Sequence, residues 1–195
     1  MSAQFSPTVG YEEIYLREQA LRNARTGLLL WRITNGLVFA FFVFANFLMR
    51  NVQPSWPPPG IPRLEIGLPI VITLALIVSG VFASRGLAAI RAGDENALRQ
   101  NLLIAVGLGV AFFVGIVIVT ARIPHSGAYS SIILAMNLFH ALHVLVGVAL
   151  LGIVTIRSGG GRYTAANHFM AEGAVVFWHF VDAMWLFFFL VIYVF

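Results

Sequence analysis

The sequence predicts an all-α integral membrane protein, a bundle of five transmembrane helices. Three observations carry that prediction. Of 195 residues, 59% are hydrophobic and only 10% are charged, where a soluble domain has roughly half and about a quarter. Apolar residues gather into five long runs near 28–49, 66–84, 102–121, 131–156 and 169–195, each close to or above the ~18–20 residues that cross a hydrocarbon core. None of the runs shows the apolar–polar alternation of a membrane barrel strand. Backbone groups in lipid must be paired within their own segment, so the runs are helices.

The same numbers exclude a water-soluble globule, a disordered chain and a nucleic-acid module, so nucleic acid is not an expected partner. Mean hydropathy is +0.88 and the isoelectric point about 10.1. The net charge of +4 rests on twelve arginines, with no lysine. The absence of cysteine excludes disulfides, iron–sulfur sites and thiolate metal sites.

Taken in order, residues 1–27 form a polar N-terminal segment and residues 28–195 the five-span domain. Glu12, Glu13 and Glu18 stand where a secretory signal would have its basic and apolar regions. Residues 11–26 read as an amphipathic surface helix or as a polar tail. Between the first two spans, Trp56-Pro57-Pro58-Pro59-Gly60-Ile61-Pro62 is a stiff extended turn, because proline cannot continue a helix. On the third span Gly107, Ala111 and Gly115 recur every four residues, a spacing that lets another helix approach closely. His125 falls in a short loop and His168 at the start of the fifth span, both read as surface residues. The aromatic residues of the last span, Trp178, Trp185 and Phe187 to Phe189 among them, read as packing or lipid-facing groups.

Arginine placement sets the expected orientation. With the N-terminus cytoplasmic, the inner side holds Arg17, Arg22, Arg25, Arg32, Arg85, Arg91, Arg99, Arg157 and Arg162. The outer side then holds Arg50, Arg63 and Arg122. Five spans put the C-terminus outside.

Ionisable residues inside lipid are costly and need a reason. The fourth span carries His140 and His143, the fifth Glu172, His179 and Asp182. At ~1.5 Å per residue, His143 lies roughly 18 Å below the outer surface and His179 roughly 15 Å above the inner one. Equal depth on neighbouring antiparallel helices predicts a polar seam, with His143 near His179, His140 near Asp182, and Glu172 near the cytoplasmic surface. Four readings of the seam compete. It is hydrogen-bonding glue, a contact to a partner subunit or lipid headgroup, a metal or haem site, or a proton relay. The ligand types suit a metal, but the small residues that usually back haem-ligating histidines are missing. No inverted repeat or broken helix pair supports a transporter.

The residues also carry a resemblance. Phe139-His140-Ala141-Leu142-His143-Val144 resembles a helix motif of subunit III of the haem–copper terminal oxidases. Asn167-His168-Phe169, Glu172, Trp178-His179-Phe180-Val181-Asp182 and Trp185-Leu186-Phe187 are similar to that family's final helix. Trp56 to Gly60 resembles its proline-rich outer loop, and Gly127-Ala128-Tyr129-Ser130-Ser131 the start of its penultimate pair. The likeness covers the chain from the first span onward.

The resemblance implies a non-redox subunit of a proton-pumping oxidase that reduces O2 to water in aerobic respiration. Such a subunit stabilises the catalytic subunit, supports proton uptake and binds phospholipid. It implies no cofactor in this chain, with haem and copper in the partners: the catalytic subunit I, subunit II and further respiratory subunits, in a bacterial cytoplasmic membrane. It assigns His140, His143, Glu172, His179 and Asp182 to a structural polar cluster, with no catalytic or metal-binding residue. Two departures stand out. The full-length family has seven helices, and this chain matches a five-helix form. Where the family usually has a buried glutamate, this chain reads Thr34-Asn35-Gly36-Leu37, so no role of that glutamate transfers. The alternatives are an accessory subunit of a nitric oxide reductase with the same fold, or an independent small membrane cytochrome or transporter.

Overall fold

Five helices account for nearly all of the described residues. The computed structural model describes residues 7–124 and 127–195. They form α1 (Pro7–Asn51), α2 (Gly67–Arg91), α3 (Glu95–Ala121), α4 (Gly127–Arg157) and α5 (Phe169–Phe189), which ends in a π-helical turn over Leu190–Val194. All five are long and apolar enough to cross a membrane.

The helices outrun the apolar stretches. Segment 11–26 is neither a separate surface helix nor a tail: α1 runs unbroken from Pro7 through the first span. Its first turns, residues 11–20, are uncovered by the rest of the chain. α2 likewise continues past residue 84 to Arg91. Arginine can lie in the last turns because its stem stays in the apolar layer while its head reaches water.

The α2–α3 link explains where α2 does stop. Gly93 has φ +88°, a left-handed conformation open to glycine. It lets Asp94 N donate to Ala89 O (3.0 Å) and Gly93 N to Ile90 O (2.9 Å), which satisfies the orphan carbonyls of the helix end. Asp94 then caps α3 by accepting from Ala97 N (2.8 Å). Two residues thus stop one helix and start the next, and α2 and α3 pack as an antiparallel hairpin.

α2, α3, α4 and α5 form the packed body, while α1 leans mainly on α4 and α5. Cross-contacts between α2 and α5 fall as Arg91–Glu172, Ser84–His179 and Thr73–Trp185. One number rises as the other falls, so these helices are also antiparallel. The core is built on Trp178, Trp185, Phe112 and Phe188, all fully buried. Lipid is as apolar as these side chains, so close packing rather than water exclusion holds the helices together.

The tight approach on α3 follows the expected stripe only at Gly115. Gly107 and Ala111 face outward, and nothing lies near Gly107. Only Gly115 of the three is packed, against Ile72, while Gly109 sits under the Trp178 ring. The buried face of α3 follows Leu98, Leu102, Ala105, Gly109, Phe112 and Ile116.

Each buried indole has a hydroxyl partner on α2. Trp178 Nε1 donates to Ser79 Oγ (3.0 Å), which itself donates to Ala105 O on α3 (2.8 Å). Trp185 Nε1 donates to Thr73 Oγ1 (2.7 Å). Leaving a buried donor unpaired costs about 1–3 kcal/mol. Ser79→Ala and Thr73→Val are therefore expected to lower unfolding stability by about that amount each. Ser131→Ala, which removes an exposed bond to its own helix (3.0 Å to Gly127 O), should change little. Denaturant titration in detergent checks the contrast.

Candidate functional site

The polar residues of the last two spans lie at four separate places, not along one seam. At three of them the partners come from α1 or α2, and the fourth, around His140, is enclosed by aromatic rings.

Glu172, in the first turn of α5, joins three helices at the end of the bundle that bears the 92–94 and 158–168 loops. Its Oε2 accepts from Arg25 Nη2 of α1 (3.2 Å), and its Oε1 lies 3.8 Å from Arg91 Nη2 of α2. Arg17 reaches the same region, donating to Ala166 O (3.5 Å). Beside it, Glu95 of α3 clamps the α4–α5 loop by accepting from Gly161 N and Tyr163 N, both at 2.9 Å. Burial raises the Tyr163 phenol above its ordinary range, so it stays a neutral donor, to Met170 Sδ at 3.4 Å. His168 sits in this loop region with Nδ1 3.3 Å from Thr164 O. Both arginines are more than half exposed, so Glu172→Gln should cost under about 1 kcal/mol. The expected sign is faster tryptic cleavage in the exposed first turns of α1.

His143 does not meet His179. It turns to α1, with Nε2 3.2 Å from Asn35 Oδ1 and Nδ1 2.9 Å from Phe139 O. Asn35 Nδ2 donates in turn to Trp31 O (3.0 Å). A neutral imidazole carries one N–H and satisfies one of its two carbonyl neighbours. Trp31, Asn35, Leu142, His143, Val146 and Phe177 line a crevice of about 240 Å³ here, floored by Trp31 stacked on Phe177 at 4.7 Å.

His179 and Asp182 turn to α2. Ser84 Oγ and His179 Nε2 are 2.8 Å apart, and His179 Nδ1 lies 3.5 Å from Asp182 Oδ2. Gly80 makes room for this pair, since a Cβ there would collide with the Asp182 carboxylate. Asp182 Oδ1 is buried with no hydrogen-bond partner among the described residues, and the His179 side chain is 44% exposed.

His140 does not meet Asp182. It is fully buried in an aromatic box of Phe39, Phe112, Trp185 and Phe188, with ring centroids 5.1 to 6.3 Å away. Among the described residues, neither of its ring nitrogens has a hydrogen-bond partner. His125 lies outside the described residues.

The expected pairs fail for one reason. Their depths agree, but depth says nothing of azimuth, and the partners come from α1 and α2. Asn35 and Ser84 were the residues that sequence reasoning missed. Each lies among a few hydroxyl or amide residues inside its apolar run, with Thr34 and Asn46 in the first and Thr73 and Ser79 in the second, so residue type alone did not single it out. Among the described residues, no three His, Asp or Glu side chains converge in a way that could hold a metal ion. What the arrangement does chemically is tie helices: α1 to α4, α2 to α5, and α1, α2 and α5 together.

Comparison with known proteins places this architecture. The sequence model of the family described as cytochrome c oxidase subunit III matches residues 16–195. The chain is 33% identical over 171 residues to the cytochrome c oxidase subunit 3 of Synechocystis sp., covering 86% of this chain and 73% of that protein. It is 31% identical over 172 residues to that of Thermostichus vulcanus (86% and 85% covered). It is 35% identical over 179 residues to that of Marchantia polymorpha (87% and 67%).

Proposed function

The chain belongs to the cytochrome c oxidase subunit III family, and from that premise we propose that it is the non-redox third subunit of a proton-pumping haem–copper oxidase reducing O2 to water in aerobic respiration. The oxidoreductase activity is that of the complex. This chain braces the catalytic subunit I, beside subunit II, further respiratory subunits and bound phospholipid, and supports proton uptake. The carrying observation is the family match over residues 16–195. The scattering of the imidazoles supports the non-redox part. His140 faces aromatic rings, His143 faces Asn35, and His179 faces Ser84 and Asp182, so no two of them share a ligand position. In this reading His143, Glu172, His179 and Asp182 are helix ties and His140 is a packing group. Residues 1–27 are the cytoplasmic segment and 28–195 the membrane domain. The chain lies in a bacterial cytoplasmic membrane with its N-terminus inside and C-terminus outside, as the nine-to-three arginine bias directs.

Mild solubilisation followed by affinity capture on this chain tests the reading. The expected eluate contains a larger haem-bearing subunit and the absorption bands of a haem–copper oxidase. Stripped of its partners, the chain should carry no Soret band. Capture of the chain alone, or a Soret band that stays with the isolated chain, would overturn the proposal.

A further inference from the structure

Most outward faces of the bundle look like lipid-facing surface. The outer row of α3, for instance, is Leu103, Val110, Val114 and Val117. The outer side of the α2–α5 pair differs. Here a half-exposed imidazole, His179, stands between exposed Ser84 and the largely buried carboxylate of Asp182. His179 is the eleventh residue of the 21-residue α5, so it lies at mid-helix, roughly 15 Å from the helix start. Ionisable groups at such depth are costly against acyl chains and almost always face protein or a water-filled cavity. Around it lie apolar and small residues: Leu74, Ile77 and Val81 on α2, and Ala183 and Leu186 on α5, all exposed. In the antiparallel register, Ile77 and Ala183 both lie between the Ser84–His179 and Thr73–Trp185 contacts.

We propose that this α2–α5 face is where the chain docks on a neighbouring oxidase subunit, receiving a transmembrane helix that presents a hydrogen-bonding side chain to the Ser84–His179–Asp182 group. The identification of the neighbour rests on the subunit III reading; the location of the face rests on the geometry alone. An acyl chain offers no donor or acceptor, whereas a helix bearing Ser, Thr, Asn or Tyr at this depth does. Ala183, at the centre of the patch, lets the two backbones come close. A second copy of this chain is the less suitable occupant, because a two-fold contact would set one His179–Asp182 pair against an identical one.

A photo-crosslinking amino acid placed at Leu186 or Leu74 in the intact complex tests the face, with Val114 on α3 as the reference position. The expected result is a crosslink from Leu186 and Leu74 to another oxidase subunit, and none from Val114. Ala183→Trp should reduce the amount of this chain retained by the complex about tenfold, the scale of one or two membrane hydrogen bonds lost. Ala183→Gly, which adds no bulk, should retain it. Crosslinks only to lipid, crosslinks only to a second copy, or full retention of Ala183→Trp would each overturn the proposal. Absence of any oxidase subunit from the unsubstituted sample would instead overturn the subunit III reading.

Discussion

Gly147→Leu is expected to unfold the bundle or leave it without fixed tertiary packing. The reason lies in the seat of Trp178. This indole is fully buried and is held between two glycines on facing helices. A Cβ on Gly147 of α4 would lie 2.6 Å from Trp178 Cε3, and one on Gly109 of α3 would lie 2.7 Å from Cη2. The ring cannot slide away, because Nε1 is fixed to Ser79 Oγ at 3.0 Å and Ser79 is itself fixed to α3. A leucine at 147 therefore pushes α4 off α5 or drives the ring from its hydrogen bond. Overpacking a tight core costs about 1–3 kcal/mol for small insertions, and four added carbons at this contact place the cost at or above the top of that range. Gly107→Leu, at an outward position with nothing within 4 Å, is the control. Detergent-resolved unfolding followed by tryptophan fluorescence should show a lost or broad transition for Gly147→Leu and a near-native one for Gly107→Leu. Equal stability of the two would mean that the indole is not clamped.

That contrast also marks what could be read from the residues. Span number and rough position follow from the length of apolar runs, because lipid thickness and backbone pairing leave a single solution. Ladder bonds do not stop where hydropathy falls, so α1 and α2 run on into polar sequence. Which face of a helix meets which neighbour is a different kind of information. The repeat Gly107, Ala111, Gly115 has the right spacing for close packing, yet only Gly115 of the row is packed, and the glycine beneath Trp178 is Gly109, about half a turn from Gly107 and Ala111. In an all-apolar helix the periodic signal that marks a buried side in water is missing, since both sides are hydrophobic. The polar pairs fail on the same ground. Assuming that consecutive helices supply each other's partners joined α4 to α5, whereas the contacts run over 108 residues from Asn35 to His143 and over 95 from Ser84 to His179. Glu172 was legible because a first-turn carboxylate must lie near the membrane surface, where arginines gather.

His140→Phe should leave the bundle intact and raise its stability, the opposite of what an intramembrane histidine would suggest. Its imidazole is surrounded by four aromatic rings, and both nitrogens are fully buried without a hydrogen-bond partner among the described residues. A buried polar group without a hydrogen bond costs about 1–3 kcal/mol. Trp185, 5.1 Å away at 32°, and the edge-on Phe112, 5.8 Å away at 88°, already form the surround that a benzyl ring prefers. A gain of about 1 kcal/mol is expected, reduced by whatever strain the slightly larger ring brings. His140→Glu should instead cost about 3 kcal/mol or more, because no cation faces that box and a carboxylate at this depth is uncompensated. The pair separates packing from chemistry. If His140→Phe weakens the complex as much as His140→Glu does, the imidazole has a hydrogen-bonding task in the assembled oxidase, and His140 then belongs with His143 and His179 rather than with Trp185 and Phe112.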